Sequence, residues 1–314
     1  MSKKWVVVFG GAGFLGSNLC KSLLSSEKKV ICIDNLYTGN LKNIESFQDN
    51  SNFLYFNHDI VEKWTTDLEL ESIYNLACPA SPFHYQKNPI YTLKINFSGA
   101  LNVLELAEDH NVPVFQASTS EIYGDPLEHP QGEKYWGNVN SIGIRSCYDE
   151  GKRVAETLFF DFHREKKINI KVARIFNTYG PNMDVQDGRV VSNFIVQALN
   201  NDDITIYGDG SQTRSFCYVT DLIDGFIRLM NTNSSLHGPY NLGNPSEFTV
   251  KELAERVIKL TSSNSKIIFL PLPSDDPVRR KPDISKATND FNWSPRIDLE
   301  EGLIKTINHF NKII

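Results

Sequence analysis

A doubly wound parallel α/β sheet with a smaller, interleaved C-terminal lobe is the fold this 314-residue chain predicts. Three observations lead there. Short β-rich runs at 5–9, 30–33, 53–56, 73–76, 114–117 and 170–175 alternate with helical patterns at 14–25, 90–109 and 148–166, the order expected of strands that pair in parallel through helical crossovers. The first strand runs straight into a glycine-rich turn, VVVFGGAGFLGSN, and then a helix. Beyond about Asn177 the elements shorten, broken by Tyr179-Gly180-Pro181, Gly208-Asp209-Gly210, Gly238-Pro239 and Pro271-Leu272-Pro273. Residues 1–177, with a returning segment near 215–242, are expected to form the sheet domain, and 178–314 mainly a second lobe for substrate.

Composition narrows the class. Hydrophobic residues make up 40% of the chain, enough for a sizeable core at this length. The net charge of -6, with no basic block longer than Arg279-Arg280-Lys281, excludes a general nucleic-acid binder. Five cysteines, Cys20, Cys32, Cys78, Cys147 and Cys217, form neither a CxxC pair nor a metal-ligand spacing, so no metal is expected and a reducing cytoplasm is. No apolar run approaches the ~20 residues of a membrane span. The first strand pattern opens at Trp5, so neither a signal peptide nor a membrane anchor is expected.

In order along the chain, Gly10, Gly13 and Gly16 sit where the first strand turns into the first helix, and Asp34 ends the second strand. Glycines there let the backbone approach a pyrophosphate, the helix N-terminus offers unpaired N–H groups, and the acid hydrogen-bonds a ribose diol. This combination predicts a Rossmann-type dinucleotide site. Asp34 would repel a ribose 2′-phosphate, and Asn35 supplies no cation to offset it, so NAD is expected rather than NADP. The GxxGxxG spacing resembles the extended short-chain dehydrogenase/reductase superfamily. That resemblance implies cofactor contacts from Phe14 and Leu15 in the turn, Asn35, Thr38 and Gly39 after the second strand, Asp59 and Ile60 after the third, and Leu76 and Ala77 after the fourth. Taken alone, Asp59 reads equally as a helix N-cap and Ala77 as a small packing residue.

At the fifth strand the sequence reads QASTSEIYGDP, which brings Ser118, Thr119, Ser120 and Glu121 to a strand end that meets the cofactor in such a sheet. A carboxylate there is costly unless it has water or a partner. Farther on, RSCYDEGKRVAET sets Tyr148 and Lys152 four apart on one helix face. An ammonium beside a phenol favours tyrosinate, so Tyr148 is expected to ionise more easily than usual. It would take a proton from an alcohol while hydride leaves for the cofactor, then return it, with Lys152 joining it at the cofactor. Ser120-Glu121 lacks the aspartate that nucleotide-sugar dehydratases of this superfamily place before the glutamate.

The stretches CPASPFHYQKNP (78–89), STSEIYGDPLEHPQGEKYWGNVN (118–140), RSCYDEGKRVAET (145–157), ARIFNTYGPNM (173–183), DGRVVSNFI (187–195), YGDGSQTRSF (207–216) and DDPVRRKPDI (275–284) together resemble the UDP-glucuronate decarboxylase, or UDP-xylose synthase, family over nearly the whole chain. Gln131-Gly132-Glu133 and Ser141-Ile142-Gly143-Ile144 depart from its pattern. The resemblance implies oxidation at C4 of the glucuronate ring by NAD with Tyr148 as base, loss of carbon dioxide from the resulting β-keto acid, and reprotonation at C5 before hydride returns. Thr119 and Tyr148 would stabilise the enolate oxygen. The implied product is UDP-xylose; release of UDP-4-keto-pentose or a branched pentose is the rival among enzymes, and a catalytically silent NAD-sensing regulator the rival outside them. Glu121 either disfavours the substrate's carboxylate or relays the proton to C5, unless it is a loop acid bonded to backbone.

For the substrate, the resemblance implies Asn177, Arg189, Gln212, Arg214 and Arg280 around UDP, since guanidinium groups suit phosphate oxygens. It also implies Ser81 and Tyr85 near the sugar carboxylate and Ser120 beside the sugar. Tyr207 either stacks on uracil or fills the core. The segments 90–109 and 148–166 carry apolar residues on more than one face, among them Leu93, Leu101, Leu104, Val154, Leu158 and Phe159. In the superfamily such helices pair into a four-helix bundle, which implies a homodimer.

Overall fold

The computed structural model describes residues 4–271 and 279–314. Strand β1 (Trp5–Phe9) leads through the glycine turn into α1 (Phe14–Ser25), followed by β2 (Lys29–Asp34), β3 (Phe53–Asn57) and β4 (Leu70–Asn75). Helices α2 (Pro82–Tyr85) and α3 (Pro89–Lys94) precede one π-helical turn (Ile95–Gly99) and α4 (Ala100–His110). Next come β5 (Val114–Thr119), α5 (Ser146–Lys166) and β6 (Ile170–Ile175). The remainder runs β7 (Thr178–Tyr179), α6 (Val190–Asn200), β8 (Ile204–Tyr207), β9 (Thr213–Ser215), β10 (Cys217–Tyr218), α7 (Val219–Met230), β11 (Tyr240–Leu242) and β12 (Glu247–Thr249). It ends with α8 (Val250–Thr261), β13 (Ile267–Leu270), β14 (Arg279–Arg280), α9 (Ser285–Phe291) and α10 (Leu299–Phe310).

Seven strands form one sheet in the order β11-β6-β5-β4-β1-β2-β3, and every pair in it is parallel. Such a sheet must be covered on both faces. In β1, Val6 and Val8 point into the core shared with Leu19 of α1 and Leu222 of α7, while Val7 and Phe9 point into the core shared with Leu104 of α4 and Phe159 of α5. The last strand to join, β11, comes from beyond the first six and pairs with β6. Lys171 on β6 ties down the chain that leads to it: fully buried, it donates to Thr232 Oγ1 (2.9 Å), Asn233 O (2.6 Å) and Leu236 O (3.0 Å), and burial pulls its pKa down to about 8.

The 90–109 pattern is not one α-helix. It divides at the π turn, where Gly99 lies so close to Ile60 that a Cβ would stand 2.9 Å from its Cγ2. A side-chain periodicity carries no sign of that distant contact. Helix α5 is continuous, with Asp149 in its first turn and His163, Arg164 and Lys166 in its last, both complementing the helix dipole. Among the described residues no helix is long and apolar enough to cross a membrane.

Candidate active site

A cavity of about 610 Å³ opens at the carboxyl ends of β1, β2 and β4, where the strand order reverses. Of the expected cofactor contacts, Gly10, Gly13, Phe14, Leu15, Gly16, Asp34, Asn35, Thr38, Ile60, Leu76 and Ala77 line it. Gly10 has φ +76°, and a Cβ on it would stand 2.8 Å from Ala77 backbone; one on Gly16 would lie 2.0 Å from Gly10 O. Only bare backbone fits. No side chain caps α1 at Gly13, which leaves its first N–H groups facing the cavity. The Asp34 carboxylate, 8% exposed, accepts N–H bonds from Ala12 (3.0 Å) and Leu36 (2.8 Å). Burial pushes its pKa up, against those bonds.

Gly39 and Asp59 stand behind the cavity wall, and Tyr148 and Lys152, also expected at the cofactor, are not among the residues that line it. A Cβ on Gly39 would come within 2.7 Å of Asp34 Oδ1, so this residue backs the acid. Asp59 accepts from Val61 N (3.0 Å) through Oδ1, and from Asn35 Nδ2 (3.2 Å) and the Tyr91 hydroxyl (2.5 Å) through Oδ2. It holds a turn and at the same time fixes Asn35 and Tyr91, which do line the cavity.

At the chemical end, Tyr148 and Lys152 are both buried on α5. Lys152 Nζ donates to Ala117 O on β5 (2.9 Å) and stands 5.8 Å from the centre of the Tyr148 ring. Thr119 stands beside the Tyr148 hydroxyl and favours its ionised form, and the Tyr85 ring stacks on Tyr148, centres 4.9 Å apart and planes 6° from parallel. The folded chain reverses the expectation that Tyr148 ionises easily. Burial, with Cys78 alongside, pushes the phenol well above its usual pKa, and Thr119 only partly opposes this. Lys152 gives no relief, because burial pulls its own pKa down and its ammonium is turned to the Ala117 carbonyl. Ser118 is supporting structure: Oγ donates to Glu156 Oε1 (2.5 Å), which forms a buried pair with Arg174 at 2.9 Å. Breaking such a pair costs about 3–5 kcal/mol, since the survivor keeps a buried, uncompensated charge.

Glu121 stands in the 3₁₀ turn Ser120–Tyr123 that follows β5. Its Oε2 meets Arg145 Nη2 at 2.6 Å and Arg280 Nη2 at 3.3 Å. Burial raises its pKa, but Arg280 and Arg145, with Arg214 adding to them, outweigh this and hold it below the usual carboxylate range. The side chain is an ionised acid tied to arginines, not a loop acid bonded to backbone. Arg280, expected around UDP, is 2% exposed and turned to this end, where it also donates to Ser120 O and to Gly124 O (3.0 Å).

Of the other expected substrate contacts, Ser81 and Arg189 line the cavity, the first within 2.7 Å of His84 Nδ1 and the second bidentate on Asp187 at 2.5 and 2.6 Å. Asn177, Tyr207, Gln212, Arg214, Tyr85 and Ser120 do not line it. Tyr207 is 47% exposed at the end of β8, so it does not fill the core, and its carbonyl accepts from Gln212 Nε2 (2.6 Å). The Asp275-Asp276-Pro277 part of the last motif lies outside the described residues. Sequence reasoning missed Arg145, Asp149 and Tyr91, and His309, Lys312 and Ile313 at the C-terminal edge of the cavity. Asp149 is buried beside Tyr148 with Oδ1 unpaired, its pKa pushed up to about 7 by burial and then by Glu121. Among the described residues no group of three or more His, Cys, Asp or Glu could hold a metal.

The parallel sheet, the glycine cradle, the acid after β2 and the Tyr148–Lys152 pair define a protein of the extended short-chain dehydrogenase/reductase class. Within it, the model described as the NAD dependent epimerase/dehydratase family matches residues 6–243, and the chain belongs to that family. It is 53% identical over 310 residues to UDP-glucuronic acid decarboxylase 1 of Arabidopsis thaliana, covering 98% of this chain and 70% of that one. With UDP-glucuronic acid decarboxylase 1 of Danio rerio the identity is 51% over 310 residues, covering 99% and 73%. Among solved structures, UDP-glucuronic acid 4-epimerase from Bacillus cereus in complex with UDP-glucuronic acid and NAD is 27% identical, with a TM-score of 0.88 over 99% of this chain and 100% of that one.

Proposed function

We propose that the chain converts UDP-glucuronate to UDP-xylose and carbon dioxide with tightly bound NAD. The observation that carries this reading is the identity of more than half of the aligned residues, over 98% of the chain, to a UDP-glucuronic acid decarboxylase. The cradle fits the cofactor: Gly10 and Gly16 let the turn close tightly on its own backbone and on Ala77, which sets the uncapped end of α1 at the cavity for a pyrophosphate, and Asp34 stands where a ribose diol would meet it. Bound NAD supplies acceptance and return of a hydride at C4 of the sugar. Tyr148 takes the proton of the C4 hydroxyl and later gives it back, with Thr119 beside the same hydroxyl. A phenol whose pKa burial has raised needs a positive charge beside it to act as a base, which couples its work to cofactor binding. Once C4 is a ketone, the C6 carboxylate is β to a carbonyl, and loss of carbon dioxide leaves an enolate that Tyr148 and Thr119 stabilise; a proton taken up at C5 then restores the ketone before hydride returns to C4. Glu121, Arg145 and Arg280 form the charged group that meets the departing carboxylate.

Mass spectrometry of UDP-glucuronate incubated with the protein and NAD tests the reading. UDP-xylose supports it, UDP-4-keto-pentose or a branched pentose points to the rival enzyme, and unchanged substrate points to an NAD-sensing regulator.

Asp34→Arg is expected to weaken NAD and to raise the NADP-to-NAD affinity ratio, because a diol acceptor becomes a phosphate partner. The melting temperature should fall as well, since Ala12 N and Leu36 N lose their acceptor. An unchanged ratio in binding titrations would place the ribose elsewhere.

A homodimer follows from the apolar stripe left exposed by Ile90 (69%), Leu93 (44%), Phe97 (50%) and Val154 (40%), whereas Leu104 and Phe159 are inside the core. Light scattering at micromolar concentration should give twice the chain mass; a monomer would contradict the dimer. The five free thiols suit the proposed reducing cytoplasm.

A further inference from the structure

Arg280 reaches Glu121 from a short segment that is held on two sides. On one, β14 pairs with β9 in parallel, Arg280 opposite Arg214, and Ser215 Oγ donates to the Arg280 carbonyl at 3.3 Å. On the other stands Gln131, 0% exposed. Its backbone N–H donates to Lys281 O and its side-chain Oε1 accepts from Lys281 N, each at 2.9 Å. The residue directly after Arg280 is thus gripped by both of its backbone polar groups. The grip is anchored in turn: Gln131 Nε2 donates to Glu128 O (2.7 Å), and Gln131 O accepts from Asp283 N and from Asn241 Nδ2, both at 2.9 Å. Asn241 lies on β11 of the main sheet and accepts the Tyr123 hydroxyl bond at 2.8 Å.

We propose that Gln131 is a positioning residue for decarboxylation: its side-chain amide, bridging Glu128 O and Lys281 N, adds to the backbone bonds that fix the segment after Arg280, so that the Arg280 guanidinium is held between the Ser120–Gly124 turn and Glu121. This rests on the decarboxylase reading above. Arginine has a long side chain, but its backbone sets where that chain starts, and a displacement of about 1 Å at a reacting group can cost roughly a hundredfold in rate. A buried amide that loses its own partners also leaves Lys281 N without an acceptor.

Gln131→Met keeps the volume and removes the amide. It is expected to lower the rate of carbon dioxide release about ten- to a hundredfold, with NAD content and UDP affinity unchanged and reduced nicotinamide building up in a single turnover. Gln131→Glu supplies a pH test that a merely structural role would not move. Protonated, the carboxyl accepts from Lys281 N and donates to Glu128 O as the amide does, so its rate relative to the unaltered protein should climb as pH falls. Phenylglyoxal labelling of Arg280, read by peptide mass spectrometry, follows the position of the guanidinium without turnover. With all proteins labelled at one mildly alkaline pH, it should be blocked in the unaltered protein and strong in Gln131→Met. Near-normal carbon dioxide release and protected Arg280 in Gln131→Met would overturn the proposal, as would equal loss of NAD and UDP binding. If the unaltered protein released no carbon dioxide, the decarboxylase reading would fail, while the labelling would still decide the clamp.

Discussion

Tyr148→Phe is expected to lower turnover by about 10²–10⁴-fold, the range lost with a general acid–base group, while NAD and UDP binding stay as they are. The substitution removes one oxygen. The ring that Tyr85 stacks on at 4.9 Å remains, as do the buried position on α5 and the Lys152 bond to Ala117 O. What is lost is the hydroxyl that stands beside Thr119 at the end of β5 and carries the C4 proton in the proposed reaction. Stopped-flow absorbance should show no reduction of nicotinamide, and equilibrium titration should show unchanged ligand affinities. Retention of more than a few per cent of turnover would defeat the assignment. Loss of NAD binding would instead mean that the hydroxyl holds the cofactor rather than the proton.

The parts of this site that sequence makes legible are those whose geometry is local. A glycine turn between a strand and a helix, an acid at the next strand end, and a Tyr and Lys one helical turn apart have their relations set within a few residues. The charge state of Tyr148 was not legible, because desolvation depends on everything packed around it and outweighs a lysine whose ammonium has found a carbonyl. Nor was the company of Glu121. Arg145 comes from before α5 and Arg280 from a strand whose register is set by β9 and Gln131, contacts that span 24 and 159 positions of chain. Tyr91 and His309 belong to the same class: neither stands in a motif, and each reaches the cavity only because distant elements pack together.

Glu121→Gln is expected to slow carbon dioxide release by a factor comparable to the loss of Tyr148, but at a different step. The amide keeps the shape and loses the charge, so hydride transfer should proceed while the steps at C5 and C6 stall. In a single turnover the absorbance of reduced nicotinamide should rise without matching release of carbon dioxide, and UDP-glucuronate affinity should hold, since Arg145 and Arg280 lose an anionic competitor for the substrate's carboxylate. The pH dependence of the unaltered protein then separates the two roles. Arg280 and Arg145 overcome the upward push of burial and hold Glu121 below the usual carboxylate pKa, so it is anionic throughout the neutral range. If it acts as an anion, carbon dioxide release falls as pH drops through that depressed pKa; if it donates the C5 proton itself, the rate of product formation rises there instead. Should the variant lose the oxidation step, Glu121 positions the sugar or tunes Tyr148, and a variant with normal turnover would reduce the carboxylate to an anchor for its two arginines.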